Sequence, residues 1–285
     1  MILMSNNQWK CDRNNDFWRE RGEDCSAEAR VPGMARAYLE VMPDILGLQE
    51  VSNRQAEILM DNMRHVKLDD GTEASYEYLS GRDTPIVYRR DKLKLLESGF
   101  FLYSTEFPGF EGSFNNSETK SWCWGVFEDR KDGKRLALMS THLWWRSGNP
   151  ASSSYQAGSD EARAYQIGLA CREMDGVIEK YGCPAVLMGD LNATVSSPCL
   201  KTAFDLGWSE THDIATGDRN ENRGHHPCGT KGWKRDTGGT FEQAIDHILI
   251  KNAGDAEVRY FRRLTPEYFD PLSDHYPLYI DLRFN

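Results

Sequence analysis

The chain has 285 residues, 39% of them hydrophobic and 27% charged, with a formal net charge of -10. That length and apolar content support a sizeable core and exclude a disordered or low-complexity chain. The acidic balance argues against a long nucleic-acid groove, which would neutralise several phosphates with clustered lysine and arginine, while leaving room for a local basic pocket or bound cation. Seven scattered cysteines (Cys11, Cys25, Cys123, Cys171, Cys183, Cys199, Cys228) contain no C-x-x-C pair and read as reduced packing residues. No stretch is apolar enough to span a bilayer, so membrane insertion is not expected. MILMSNNQWK lacks the basic start and apolar middle of a signal peptide. These features point to a cytoplasmic location, with a trimmed leader as the alternative.

ILMSNNQW reads as the first strand. VPGMARAYLEVM (31 to 42) reads as a helix with Pro32 near its start, and DILGLQEV (44 to 51) as a buried strand. NRQAEILMDNMR (53 to 64) places Ala56, Leu59, Met60 and Met63 on one helical stripe, with Asn53 as the expected N-cap. Strands then dominate: TPIVYRR, LKLLESGFFL, SWCWGVFEDR and KRLALMSTHLWW, the last two joined by a hairpin turn at Asp132-Gly133. RSGNPASSSYQAG (146 to 158) is expected to be a mobile loop. The longest helix should run from Ser159 to Tyr181, burying residues that include Tyr165, Leu169 and Met174 and stopping at Gly182. PAVLMGDLNAT is the next strand, and Ser197 to Leu206 a short helix. Residues 209 to 240 read as a long irregular loop, with His225 and His226 in solvent. AIDHILIK, AEVRYFRRL and YPLYIDLRF close the chain as strands. Antiparallel hairpins mixed with helices suggest sheets packed face to face with helices outside, in one domain over residues 1-285.

Several of these apolar strands carry polar groups at or just past an end. They are Asn7, Glu50, His142, Asp190 with Asn192, Asp246, and Asp274 with His275. Burying one such group without a partner costs roughly 1 to 3 kcal/mol, and an unpaired charge far more. If the strand ends converge, mutual pairing and a metal ion are the economical remedy. Hard oxygen ligands such as Glu50, Asp274 and the Asn7 amide suit Mg²⁺, or Mn²⁺ in its place. Mg²⁺ sites commonly combine one or two carboxylates with substrate phosphate, so the inventory points to phosphoester chemistry.

The stretches Q-E-V (49 to 51), S-T-H-L (140 to 143), G-D-L-N-A-T (189 to 194), I-D-H-I (245 to 248) and S-D-H-Y-P (273 to 277) occur in register with one family. In these, and from first strand to last, the chain resembles the endonuclease/exonuclease/phosphatase superfamily. PIVYRRDKLKLLESGFFLYS (85 to 104) is closer to its bacterial, deadenylase-like and sugar-phosphatase-like branch. The resemblance implies a four-layer α/β sandwich, two mostly antiparallel sheets flanked by helices, with the active site at one edge between them. It further implies Glu50 as principal Mg²⁺ ligand, helped by Asn7 and Asp274. Asp190 would activate the attacking water and Asn192 would fix Asp190 or the phosphate. His275, held by Asp246, would bond a phosphoryl oxygen, and His142 would offset charge in the transition state.

The chain departs from the family pattern at Asn6, usually aromatic or aliphatic, and at Ala244, where an arginine is common. Trp144 and Trp145 also follow His142 where smaller or polar residues are frequent. They are either packing residues or a stacking wall for substrate. Arg163 reads equally as a residue structuring the site or a surface ion pair, and Lys231 as a phosphate contact or a solvated charge. The function expected is a metal-dependent hydrolase of a small phosphoester. A nuclease or deadenylase acting on nucleic-acid ends is the alternative, and a non-catalytic binding module a remote third.

Overall fold

The computed structural model describes residues 1-10, 24-225, 238-254 and 256-284. In chain order the strands are β1 (Ile2-Asn7), β2 (Ile45-Gln49), β3 (His65-Lys67), β4 (Glu73-Leu79), β5 (Ile86-Arg89), β6 (Leu93-Leu102) and β7 (Ser121-Asp129). After them come β8 (Arg135-His142), β9 (Ala185-Asp190), β10 (Ser209-Glu210), β11 (Asp246-Lys251), β12 (Glu257-Arg263) and β13 (Leu278-Arg283). The helices are α1 (Ala27-Val41), α2 (Asn53-Met63), α3 (Ser159-Tyr181), α4 (Pro198-Asp205) and α5 (Thr211-Ile214). One sheet has seven strands in the order β12-β13-β1-β2-β5-β4-β3, and the other six in the order β10-β11-β9-β8-β7-β6. Pairing is antiparallel except between β1 and β2 and between β8 and β9.

Strand β9 shows why the sheets stack. Val186 and Met188 face the other sheet, in a core with Leu3, Ile45, Ile86 and Leu278. The alternate residues Ala185 and Leu187 pack outward with Ile167, Met174 and Leu200 of α3 and α4. A strand buried on both faces is a continuous apolar run, as VLM is. On the far side, Met34, Tyr38 and Leu59 of α1 and α2 cover Leu46 and Val87. Helix, sheet, sheet, helix makes the four layers expected.

Gly189 lies opposite Thr141 in the parallel β8-β9 pair, with φ +149°. A Cβ there would stand 1.9 Å from the Thr141 carbonyl oxygen, so only glycine lets β9 approach so closely.

Local details differ from the sequence reading. Helix α1 starts at Ala27, earlier than residue 31, because Ser26 caps it by accepting from the Ala29 N-H. Pro32 therefore sits inside the helix, and the carbonyl it cannot serve belongs to solvent-exposed Glu28 in the first turn. The cap of α2 is Ser52, not Asn53, through a capping box with Gln55. Strands β3 and β4 went unread because EASYEYL buries only Ala74 and Tyr76 among charged neighbours. The longest helix has the expected limits, Ser159-Tyr181 with Gly182 as C-cap, but Tyr165 is exposed. The 146 to 158 loop is tied internally by Gln156 N-H to Ser147 O and Ser147 N-H to Ser154 O. Part of the 209 to 240 stretch is ordered as β10 and α5.

Candidate active site

Strand order and register bring the predicted polar groups together. Asn7 ends β1, beside Gln49 at the end of β2, and Glu50 follows directly. In the other sheet Asp190 ends β9, flanked by His142 of β8 and Asp246 of β11 in the same register row. The two groups face each other across the sandwich edge, where the Asn7 Nδ2 donates to Asp190 Oδ2 at 3.0 Å. A buried polar layer lies next to the apolar core: Gln49 Nε2 donates to Ser140 Oγ at 3.1 Å, and Ser140 Oγ to Leu48 O at 2.9 Å.

Asp190 is the focus, with 2% of its surface exposed. Its Oδ1 accepts the Asn192 N-H at 2.9 Å, and its Oδ2 lies 3.5 Å from His142 Nε2 and 3.8 Å from His275 Nε2. Burial pushes its carboxyl up to about 6, against the pull of His275. Asn192 holds φ +49° and donates its side-chain N-H to Leu143 O. His275 Nδ1 is 2.7 Å from Asp246 Oδ2. Burial opposes charge on that ring, but Asp246, Asp274 and Asp190 outweigh it and hold its pKa well above the usual histidine value. Burial likewise raises the Asp246 carboxyl, yet the facing His275 charge brings it below the usual range. Each shift favours the charged form of its group across the 2.7 Å contact.

Glu50 sits at φ +56°, a left-handed conformation that costs a non-glycine residue about 1 kcal/mol or more. Its Oε2 accepts the Lys10 N-H, and its Oε1 lies 3.4 Å from Asn7 Nδ2 and 3.9 Å from His142 Nε2. Beside it opens a cavity of about 300 Å³ lined by Glu50, Asp274, His142, Lys120, Lys10, Asp83 and Trp145 among others. Three carboxylates on one cavity, with no thiol among the described residues of its lining, fit a hard divalent cation. Asp190, Asp246 and His275 form a second, more buried group with one ligand atom each within 4.8 Å of one another.

The remaining candidates separate. Trp145 is 45% exposed on the cavity rim, with the Arg146 guanidinium 5.2 Å from its ring. Trp144 is 1% exposed, packs with Phe114 and Ala162, and does not line the cavity. Arg163 is also buried away from it, donating to the Trp144 and Arg146 carbonyls and pairing with Asp160. It is a scaffold for the loop after His142, because three acceptors consume its fork. Lys231 lies outside the described residues, as do His226, Cys11 and Cys228. His225 is half-buried rather than free in solvent: it stacks on His275 at 5.8 Å, and burial pushes its pKa down to about 4.

The departures find structural reasons. Asn6 is buried, donating to His275 O at 2.9 Å and accepting from the Tyr38 hydroxyl, so it seats the His275 loop. Ala244 fills an apolar core position, and a cation comes from elsewhere: the buried Arg263 of β12 helps lower Asp246. Sequence reasoning also passed over His247, whose ring joins Glu210 Oε2 at 2.7 Å to the Ala193 carbonyl at 2.9 Å behind the Asn192 turn. Lys120, 3% exposed, was missed as well; its Nζ is 2.6 Å from His142 Nε2. A lysine opening a strand carries no signal of its own; only the fold reveals its burial.

The profile of the Endonuclease/Exonuclease/phosphatase family matches residues 28-275. The chain belongs to this family. A curated relative, the CCR4-Not complex 3'-5'-exoribonuclease subunit Ccr4 of Candida albicans, is 23% identical over 204 residues, 64% of this chain. The match spans only 22% of that relative's length. Among solved structures, an endonuclease/exonuclease/phosphatase from Bacteroides vulgatus superposes with TM-score 0.74 at 19% identity, covering 100% of this chain and 98% of its own. A mannosyl-6-phosphatase from Bacteroides thetaiotaomicron gives 0.69 at 19% identity, with 100% of both chains covered. D. rerio TDP2 complexed with single-strand DNA product gives 0.66 at 15% identity, covering 100% and 99%. At these identities the structural likeness establishes the shared fold. The family spans phosphatases and nucleases.

Proposed function

We propose that the protein hydrolyses a compact phosphodiester or phosphomonoester by direct attack of water, with a divalent cation as cofactor. The observation that carries this reading is the setting of Asp190: a buried carboxylate fixed by two N-H donors and facing two histidines, one of which, His142, also lines the cavity walled by Glu50 and Asp274. Phosphoryl transfer needs positioning and charge stabilisation more than covalent chemistry, and this site offers both.

Glu50 and Asp274 would hold Mg²⁺, or Mn²⁺ in its place. Asn7 would join them through its amide oxygen, which here accepts the Trp9 N-H. When bound, the cation would neutralise phosphoryl charge. Asp190 takes the proton of the attacking water, and the Asn192 N-H keeps its carboxylate aimed. His275, locked by Asp246 through Nδ1, offers Nε2 as a donor to a phosphoryl oxygen. His142, beside Asp190 and Glu50, would offset charge in the transition state together with the Lys120 ammonium that lies 2.6 Å from its Nε2. The half-exposed Trp145 supplies an apolar face for the leaving group.

A second reading, cleavage at nucleic-acid ends, draws support from that same exposed indole, since bases stack on such faces. The acidic net charge favours the compact substrate. The test is a screen of bis-p-nitrophenyl phosphate, sugar phosphates, nucleotides and oligonucleotides with and without Mg²⁺. Turnover that requires the metal and drops by at least about 10²-fold in Glu50→Gln and Asp190→Ala is expected. Turnover indifferent to metal and to both substitutions would overturn the reading.

A further inference from the structure

We propose that Lys120 is a further catalytic residue of this site, its ammonium donating to a non-bridging oxygen of the bound phosphoryl group. The proposal rests on the phosphoester reading above. Lysine is almost never fully buried unless paired, because an ammonium loses its hydration there. Lys120 is nevertheless 3% exposed, and it lines the same cavity as Glu50, Asp274 and His142.

Its position is set from both sides of its backbone. The Asn115 side chain accepts the Lys120 N-H through Oδ1 at 2.9 Å. It also donates through Nδ2 to the Lys120 carbonyl at 2.9 Å and to the Tyr103 carbonyl at 2.6 Å. Between these residues the chain turns through left-handed conformations at Ser117 and Glu118, with φ +62° and +51°. A strained turn clamped by one buried asparagine is a costly way to hold a lysine that only needed solvent.

The charge around the Nζ tells what it faces. Glu50, Asp83 and Asp274 line the cavity, and Asp190 lies behind one of its lining residues, 3.5 Å from His142 Nε2. Of the lining lysines, Lys10 is engaged with Asp83 at 2.7 Å. Lys120 instead reaches the histidine edge, 2.6 Å from His142 Nε2, which itself is 3.5 Å from Asp190. A phosphoryl group placed for attack by water on Asp190 therefore comes within reach of the Lys120 ammonium. With three N-H donors, that ammonium can hold His142 and an anionic oxygen together. A phosphate bearing one or two negative charges, entering among these carboxylates, gains most from a fixed cation there.

The experiment compares wild type, Lys120→Met and Lys120→Arg, each confirmed folded by thermal melting. Inorganic phosphate binding is titrated by calorimetry with Mg²⁺ present, and kcat and KM are measured on bis-p-nitrophenyl phosphate and p-nitrophenyl phosphate. Lys120→Met is expected to bind phosphate at least tenfold more weakly and to lose about 10²- to 10³-fold in kcat/KM, as expected for removing one transition-state donor. Lys120→Arg, which keeps charge and donors, should recover at least tenfold of that loss. Phosphate affinity within twofold of wild type in Lys120→Met would overturn the proposal, as would Lys120→Arg binding no better than Lys120→Met. If Lys120→Met fails to fold, Lys120→Arg decides: phosphate binding within tenfold of wild type supports the contact, and its loss in a folded protein removes it. A wild type that binds phosphate yet hydrolyses nothing defeats the hydrolase reading alone, leaving the phosphate titration to judge Lys120. A wild type that binds no phosphate defeats both.

Discussion

Asp190 has to satisfy two opposed demands. Its burial, which aims it, also penalises its charge, and its carboxyl is pushed up to about 6. A carboxylate activates water only when ionised, so kcat/KM should fall as pH drops through about 6. A cation held by neighbouring Glu50 favours the ionised form, so the fall should lie at lower pH with saturating Mg²⁺ than with limiting Mg²⁺. A pH profile at two metal concentrations checks this, and superimposable profiles would remove Asp190 from the proton transfer. Asp190 was legible in the sequence because GDLNAT ends an apolar strand, as were Glu50, Asp246 and His275 by the same logic. Lys120 and Arg263 were not: an isolated lysine or arginine reads as surface charge until neighbours from other strands bury it. Trp144 and Trp145 show the converse, since adjacent identical residues just past the end of β8 have opposite fates.

At the scale of elements, the capping box of α2 also braces the site. Ser52 follows Glu50 by two residues; its hydroxyl accepts the Gln55 N-H at 3.2 Å, and its own N-H donates to Gln55 Oε1 at 2.9 Å. This closed pair anchors the chain just beyond the left-handed Glu50. Ser52→Ala should cost about 1 kcal/mol of stability, as N-cap truncations do. It should also weaken Mg²⁺ binding, because the turn presenting Glu50 loosens. Denaturant midpoints and metal titration of the variant measure both, and a stability loss with unchanged metal affinity would confine Ser52 to the helix. Boundaries of this kind were the weak point of the sequence reading. Ser52 and Asn53 are both good caps, and only the reciprocal bond to Gln55 decides between them. Period and length made α3 and the buried strands legible, whereas β4 hid because polar residues alternate with its inward Ala74 and Tyr76. The 146 to 158 loop has a composition suited to mobility, but Arg163 and its own backbone pairs tie it down.

For the whole molecule, the net charge of -10 and a cavity of about 300 Å³ bear on substrate size together. A protein that grips a nucleic-acid strand neutralises many phosphates and releases their counterions, losing roughly 10³- to 10⁵-fold in affinity between 50 and 200 mM salt when 6 to 10 contacts are made. This chain has 34 lysines and arginines against 44 acids, and among the described residues the two lysines lining the cavity are engaged with Asp83 and His142. Among the described residues that arrangement serves a single phosphoryl group. Turnover of the preferred substrate should therefore change by less than about tenfold in kcat/KM over the same salt range, with Mg²⁺ held constant. Measured on a small phosphoester and on an oligonucleotide in parallel, a shallow slope for the first with little activity on the second is expected. A steep slope on an efficiently cleaved oligonucleotide would instead require a phosphate track beyond the cavity, and would favour the exposed Trp145 as a base-stacking platform.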